Sequence, residues 1–148
     1  MEETQALAEE LLKEIGNPVS DLQQATVVGL QGDLGSGKTS FAQGVARALG
    51  VAEHVTSPTF ILERVYKIDP LSHCLQIANC SFSHLVHIDA YRLDGANELG
   101  HLGWDNLIAD AGNLILIEWP ERVASALPKD MQKISFEFID ETTRKISW

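Results

Sequence analysis

Apolar positions fall in two rhythms along the chain. Over Thr4 to Ile15, Leu7, Leu11 and Ile15 recur at helical spacing with Ala8 and Leu12 beside them, which predicts an amphipathic helix. Gly16-Asn17-Pro18 carries two kinds of stop signal and should end it. The apolar, β-branched run Thr26 to Leu30 then suits a buried parallel strand. Beyond a glycine-rich stretch, Phe41, Val45 and Leu49 recur every fourth residue, with Ala42, Ala46 and Ala48 between them. Gly50 closes this second helix.

The later segments are shorter. Thr56 to Phe60 reads as a loop entering a strand over Ile61 to Ile68, and Asp69 to Ser83 as an irregular surface excursion. Leu85 to Ile88 is a strand that delivers the polar run His87, Asp89, Tyr91 and Arg92. Glu98 to Ala111 has helical character broken by Gly100 and Gly103. Leu114 to Ile117 is the clearest buried strand, closed by Glu118-Trp119-Pro120. Ile134, Phe136 and Phe138, then Ile146 and Trp148, alternate with polar neighbours on either side of Asp140 to Thr143, as in an antiparallel hairpin. The 148 residues are too few for a second folded unit. The pattern predicts one α/β domain over 1–148, a central mixed sheet flanked by helices with a C-terminal antiparallel hairpin.

The glycine-rich stretch carries the chemistry. Gly32-Asp33-Leu34-Gly35-Ser36-Gly37-Lys38-Thr39 matches G-x-x-x-x-G-K-[ST] at every fixed position, between a strand and a helix as a phosphate-binding loop requires. Wrapping a polyphosphate in backbone N–H groups needs a close approach that residues without Cβ permit, and Gly32, Gly35 and Gly37 supply it. The phosphates would lie at a helix N-terminus. Lys38 would reach the β/γ-phosphates, and the Thr39 hydroxyl is placed to ligate Mg²⁺. Lys38 is expected to stand exposed when the loop is empty. The fold expectation is thereby sharpened to a P-loop NTPase-like domain.

Such a site needs a carboxylate at the end of another strand. Glu118 follows four apolar residues, with Glu in place of the more usual Asp, and Asp89 follows Leu85 to Ile88 within a polar cluster. Two acids allow one to serve the metal and the other the attacking water or acceptor, and the sequence alone does not assign them.

Charge narrows the partners. With 21 acidic against 11 basic side chains the net charge is −10, and no basic stripe exists to displace counterions, so direct nucleic-acid contact is not expected. Glu2, Glu3, Glu9, Glu10 and Glu14 read as a solvated helix face. Cys74 and Cys80 have no second pair or clustered histidines and read as ordinary thiols. No apolar run approaches membrane-spanning length, and the Met-Glu-Glu start has no signal core, so a cytoplasmic location is the expectation.

With the loop, Ser57-Pro58-Thr59-Phe60, His87-Ile88-Asp89-Ala90-Tyr91-Arg92-Leu93 and Ile117-Glu118-Trp119-Pro120-Glu121-Arg122 in this order, the chain resembles the bacterial TsaE family, ATPases of tRNA threonylcarbamoyladenosine biosynthesis. The loop is generic, whereas the other three blocks at these spacings are specific. The resemblance implies a Mg²⁺-dependent ATPase, weak alone and stimulated by the partner proteins that transfer threonylcarbamoyl to tRNA. It implies that Leu34, Gly35, Ser36, Gly37, Lys38 and Thr39 hold the phosphates and that Thr39 and Glu118 serve Mg²⁺. Lys38 and Asp89 would be catalytic, and Thr59 a switch residue sensing the γ-phosphate. Trp119 would lie near the nucleotide, with Thr4 and Arg144 toward the base. Lys67 to Ser83 departs from the family pattern in being longer and more irregular.

Two other readings compete. A small-molecule P-loop kinase would use Asp89 as base toward a hydroxyl, but generally needs an arginine-bearing lid, and Arg47, Arg64, Arg92, Arg122 and Arg144 are scattered singly. A nucleotide-sensing module without significant hydrolysis would use binding to order Ser57 to Phe60. A guanine-reading Asn-Lys-x-Asp is absent, which favours adenine.

Overall fold

Strands whose apolar runs are covered on both faces belong in the middle of a parallel sheet, and that is where the most apolar segments lie. The computed structural model describes residues 2–15, 24–71 and 82–148. Its strands are β1 (Thr26–Gly32), β2 (Glu63–Lys67), β3 (His84–Asp89), β4 (Asn113–Glu118), β5 (Gln132–Phe138) and β6 (Arg144–Ser147). They form one six-stranded sheet in the order β2-β3-β4-β1-β5-β6. Strands β3, β4, β1 and β5 are mutually parallel, and β2 and β6 run antiparallel at the two edges. The mixed sheet and the C-terminal hairpin are therefore present as expected.

The period-two alternation sorts side chains onto two cores. Val28, Leu30, Leu85, Leu114, Leu116 and Phe136 face α1 (Glu2–Ile15) and α2 (Lys38–Ala48). Val27, Val86, Ile88, Ile115 and Ile117 face α3 (Trp104–Ala109) and the 3₁₀ segments Ala96–Leu102 and Pro120–Ala126. Strand β4 is buried at all six positions. Each of Leu114 to Ile117 contributes roughly 1.5–3 kcal/mol by leaving water, enough to offset the cost of a carboxylate at the strand's end.

Several boundaries differ from expectation. Strand β2 starts at Glu63 rather than Ile61, because the amides of Ile61 and Leu62 both turn back to the Pro58 carbonyl and Leu62 adopts φ 65°. The Glu98 to Ala111 region splits at Gly103, whose φ of 72° ends the 3₁₀ segment and starts α3. Phe138 alternates correctly but is 55% exposed. The β1–β5 register ends at Gly32 opposite Phe136, so Phe138 has lost the central sheet and lies under the Arg144 guanidinium instead. The Gly16-Asn17-Pro18 stop, Cys74, Cys80 and most of the 69–83 excursion lie outside the described residues. Among the described residues no helix is long and apolar enough to cross a membrane.

Candidate nucleotide-binding site

The site is assembled where β1, β3 and β4 end together. Leu30 on β1 is in register with Glu118 on β4, and Glu118 is in register with Asp89 on β3. Parallel neighbours thus bring the phosphate loop and both sequence-predicted acids to one sheet edge, the usual position of ligands in an open α/β sheet.

The loop leaves β1 through Gly32, where a Cβ would sit 2.5 Å from the Phe136 carbonyl oxygen and 2.7 Å from Ser36 Oγ. Any side chain there would displace β5 or the loop. Gly37, at φ 103°, caps α2 with no side-chain hydrogen bond, and the first turn of α2 holds no acid. Amides at the start of a helix have no intrahelical acceptor, so Lys38, Thr39 and Ser40 present theirs beside a positive dipole end suited to an anion.

Lys38 overturns the expectation of a free side chain. It is 4% exposed, and its Nζ donates to the carbonyls of Gly32 at 2.5 Å and Asp33 at 2.8 Å. The Trp119 ring centroid lies 4.5 Å from Nζ. Burial pushes the Lys38 pKa below the ordinary lysine value, against the opposing pull of Glu118, Asp89, Glu121 and Asp33. The reason is chemical: an ammonium at the centre of a tight loop uses the loop's own carbonyls to satisfy its donors.

The two acids are bound by different partners. Glu118 Oε1 accepts from Thr39 Oγ1 at 3.0 Å and lies 2.9 Å from His87 Nε2. Asp89 Oδ1 accepts the Tyr91 amide at 2.9 Å, and Oδ2 accepts Thr59 Oγ1 at 2.7 Å. Thr59 is in turn 2.6 Å from Ser57 Oγ. Lys38, Thr39, Thr59, Asp89, Glu118 and Trp119 all line one open cavity of about 260 Å³. Trp119 packs its ring on Tyr91, centroids 5.0 Å apart, and holds φ at 59°. It is both packed and cavity-lining.

The remaining sequence candidates divide between the cavity, which Gly37 also lines, and its surroundings. Leu34 and Gly35 reach the cavity rim, Leu34 at 70% exposure, while Ser36 is fully buried beneath the loop. Arg144 lies behind the loop, its Nε donating to the Gly35 carbonyl at 3.3 Å. Thr4 sits on α1, its carbonyl against Gly44 of α2. Neither Thr4 nor Arg144 lines the cavity. Sequence reasoning passed over His87 and Tyr91 as site residues. A histidine in step with Leu85 and Asp89, on an apolar strand, was the available signal.

The donor set suits a nucleotide with Mg²⁺. Among the described residues no group of three or more His, Cys, Asp or Glu could form a protein-only metal cage. A hydroxyl and one carboxylate beside an anion cradle are the hard-oxygen complement of an ion that keeps water and phosphate oxygens as its other ligands.

A sequence profile of the family described as "Threonylcarbamoyl adenosine biosynthesis protein TsaE" matches residues 1–146. The chain is 36% identical over 126 residues to the Treponema pallidum tRNA threonylcarbamoyladenosine biosynthesis protein TsaE, covering 85% of this chain and 83% of that one. Its identity to the protein of the same name from Rickettsia felis is 33% over 147 residues, covering 99% and 74% of the two chains. The crystal structure of Bacillus subtilis YdiB superposes with a TM-score of 0.67 at 28% identity, covering 98% of this chain and 76% of that one.

Proposed function

The chain belongs to the TsaE family of threonylcarbamoyl adenosine biosynthesis proteins, and from that premise we propose that it is a Mg²⁺-dependent ATPase that serves tRNA threonylcarbamoyladenosine modification. It acts on the partner proteins that transfer the threonylcarbamoyl group, does not itself contact nucleic acid, and works in the cytoplasm. The observation that carries this reading is the convergence of Lys38, Thr39, Glu118, Asp89 and Thr59 on one cavity at the mouth of the phosphate loop.

Bound ATP supplies a high-energy phosphoanhydride, and Mg²⁺ supplies charge neutralisation at its phosphates. The chain's own residues do the rest. The amides of Leu34 to Thr39 cradle the phosphates, and the Lys38 ammonium adds a point charge among them. Thr39 and Glu118, hydrogen-bonded to each other at 3.0 Å, would be the residues that hold the cation. Asp89, one oxygen fixed by the Tyr91 amide, orients the attacking water and takes its proton. Thr59 reports on the γ-phosphate side of the cavity through its bond to Asp89. Trp119 and Tyr91, which line the cavity, wall the nucleotide, and Arg144 and Thr4, outside that lining, would serve the base.

The test is an ATPase assay of the purified chain with and without the threonylcarbamoyl-transferring proteins. Weak turnover alone that rises on their addition is the expected result. Fast turnover of the isolated chain, or a phosphorylated metabolite as product, would count against it.

A further inference from the structure

His87 is fully buried on β3, and its Nδ1 has no hydrogen-bond partner among the described residues. A hydrogen on Nδ1 would be a buried donor with no acceptor, a costly arrangement. The ring hydrogen therefore belongs on Nε2, aimed at Glu118 Oε1 2.9 Å away. That oxygen also receives the Thr39 hydroxyl, whereas Oε2 has no protein partner among the described residues and is not among the sealed polar atoms. One carboxylate oxygen is thus tied down twice, and the other is left open on a side chain that lines the cavity.

We propose that His87 is a positioning residue: by donating Nε2–H to Glu118 Oε1 it holds the carboxylate with Oε2 free for the cation. This rests on the nucleotide–Mg²⁺ reading above. The physical need comes from side-chain length. Glutamate has one more rotatable bond than aspartate, and fixing it costs rotamer entropy that a rigid, buried donor offsets. The imidazole is rigid, sits on the adjacent parallel strand, and is sealed from water that would compete for its hydrogen. An orphaned Nδ1 has no structural benefit, and it is the cost of presenting Nε2 to the carboxylate. Groups that orient a metal ligand from behind typically govern affinity for the ion by an order of magnitude or more.

Calorimetric binding of ADP, in EDTA and in magnesium chloride, tests this on wild type, His87→Met and His87→Gln. Methionine fills similar space without a donor, and glutamine restores an N–H. In EDTA the three proteins should bind ADP alike. The strengthening by Mg²⁺ should fall about tenfold or more in His87→Met and largely return in His87→Gln. A Met variant with the wild-type Mg²⁺ response, equal losses with and without Mg²⁺, or a Gln variant no better than Met would each overturn the proposal. Should the Met variant not fold, nitrogen NMR of the wild type decides: hydrogen on Nε2 with a bare Nδ1 supports it, and hydrogen on Nδ1 overturns it. Wild type that binds no ADP in either buffer defeats the nucleotide reading instead, and the NMR result still judges the His87–Glu118 bond.

Discussion

Glu118 and Asp89 stand side by side in register on adjacent parallel strands, and both are 4% exposed. Their surroundings differ in kind. Glu118 is gripped by groups on regular elements, Thr39 at the start of α2 and His87 within β3. Asp89 keeps one oxygen on a backbone amide, but its other partner, Thr59, belongs to the irregular segment before β2. Beside Thr59, Phe60 is 84% exposed, under the Arg92 guanidinium. A carboxylate held by helix and strand is suited to a fixed duty such as a cation. A carboxylate whose partner sits on a loop can exchange that partner for a water. Equal burial and equal strand position do not imply equal roles, because the element that carries the partner differs.

Substitutions can break this contrast. Asp89→Asn should lower ATP hydrolysis by about a hundredfold or more while Mg²⁺-dependent ADP binding stays intact. Loss of both would erase the distinction between the two acids. Lys38→Ala should weaken ADP binding on the order of 100-fold, since charged hydrogen bonds contribute about 1.5–3 kcal/mol each. It should also lower the melting temperature, because the Gly32 and Asp33 carbonyls lose their donor. An unchanged melting point would mean that those contacts hold nothing. Glu118→Ala should remove about ten- to hundredfold of the Mg²⁺ effect on ADP binding and leave binding in EDTA unchanged, the mirror image of Asp89→Asn.

Smaller effects sharpen it. Thr59→Val removes the hydroxyl on Asp89 and should change partner-stimulated turnover by about fivefold, the equivalent of one ordinary hydrogen bond, without altering ADP affinity. Glu63 is the control, an acid that does not line the cavity. Its Oε2 is buried without a partner among the described residues, and burial raises its pKa above the ordinary glutamate value. Folding therefore favours its protonated form. The stability this contributes is full below the ordinary carboxylate range and is lost as pH rises through the raised pKa. Glu63→Gln should flatten that part of the stability–pH profile and raise the melting temperature slightly at neutral pH. A steeper profile, or a lower melting temperature, would mean that the carboxylate has a partner it needs.

Much of this was legible because local signals and burial agreed. The octet ending in Lys38-Thr39, the strand Leu114 to Ile117 and the helical repeat of Phe41, Val45 and Leu49 each carry a period or a spacing that one structure explains. Where legibility failed, backbone geometry that no side-chain period records had intervened. Ile61 looked like strand and became turn, because the Pro58 carbonyl captures the amides that would have entered the ladder. Phe138 kept its alternation but lost its cover, because β1 stops two residues short of it in the register. Lys38 looked exposed because side-chain length and charge say so, whereas the loop folds its own carbonyls onto the ammonium.

The chain by itself determined the kind of ligand, since glycines, a lysine and a threonine at set intervals between strand and helix leave few other uses. It also marked the buried central strands and helix faces, since periodicity is a property of neighbouring residues. Tertiary structure alone decided which acid meets which partner. Thr39 meets Glu118 across 79 positions of sequence, His87 meets Glu118 across 31, and Thr59 meets Asp89 across 30. These pairings depend on strand order and register, and neither is written in any stretch of residues short enough to have a pattern of its own.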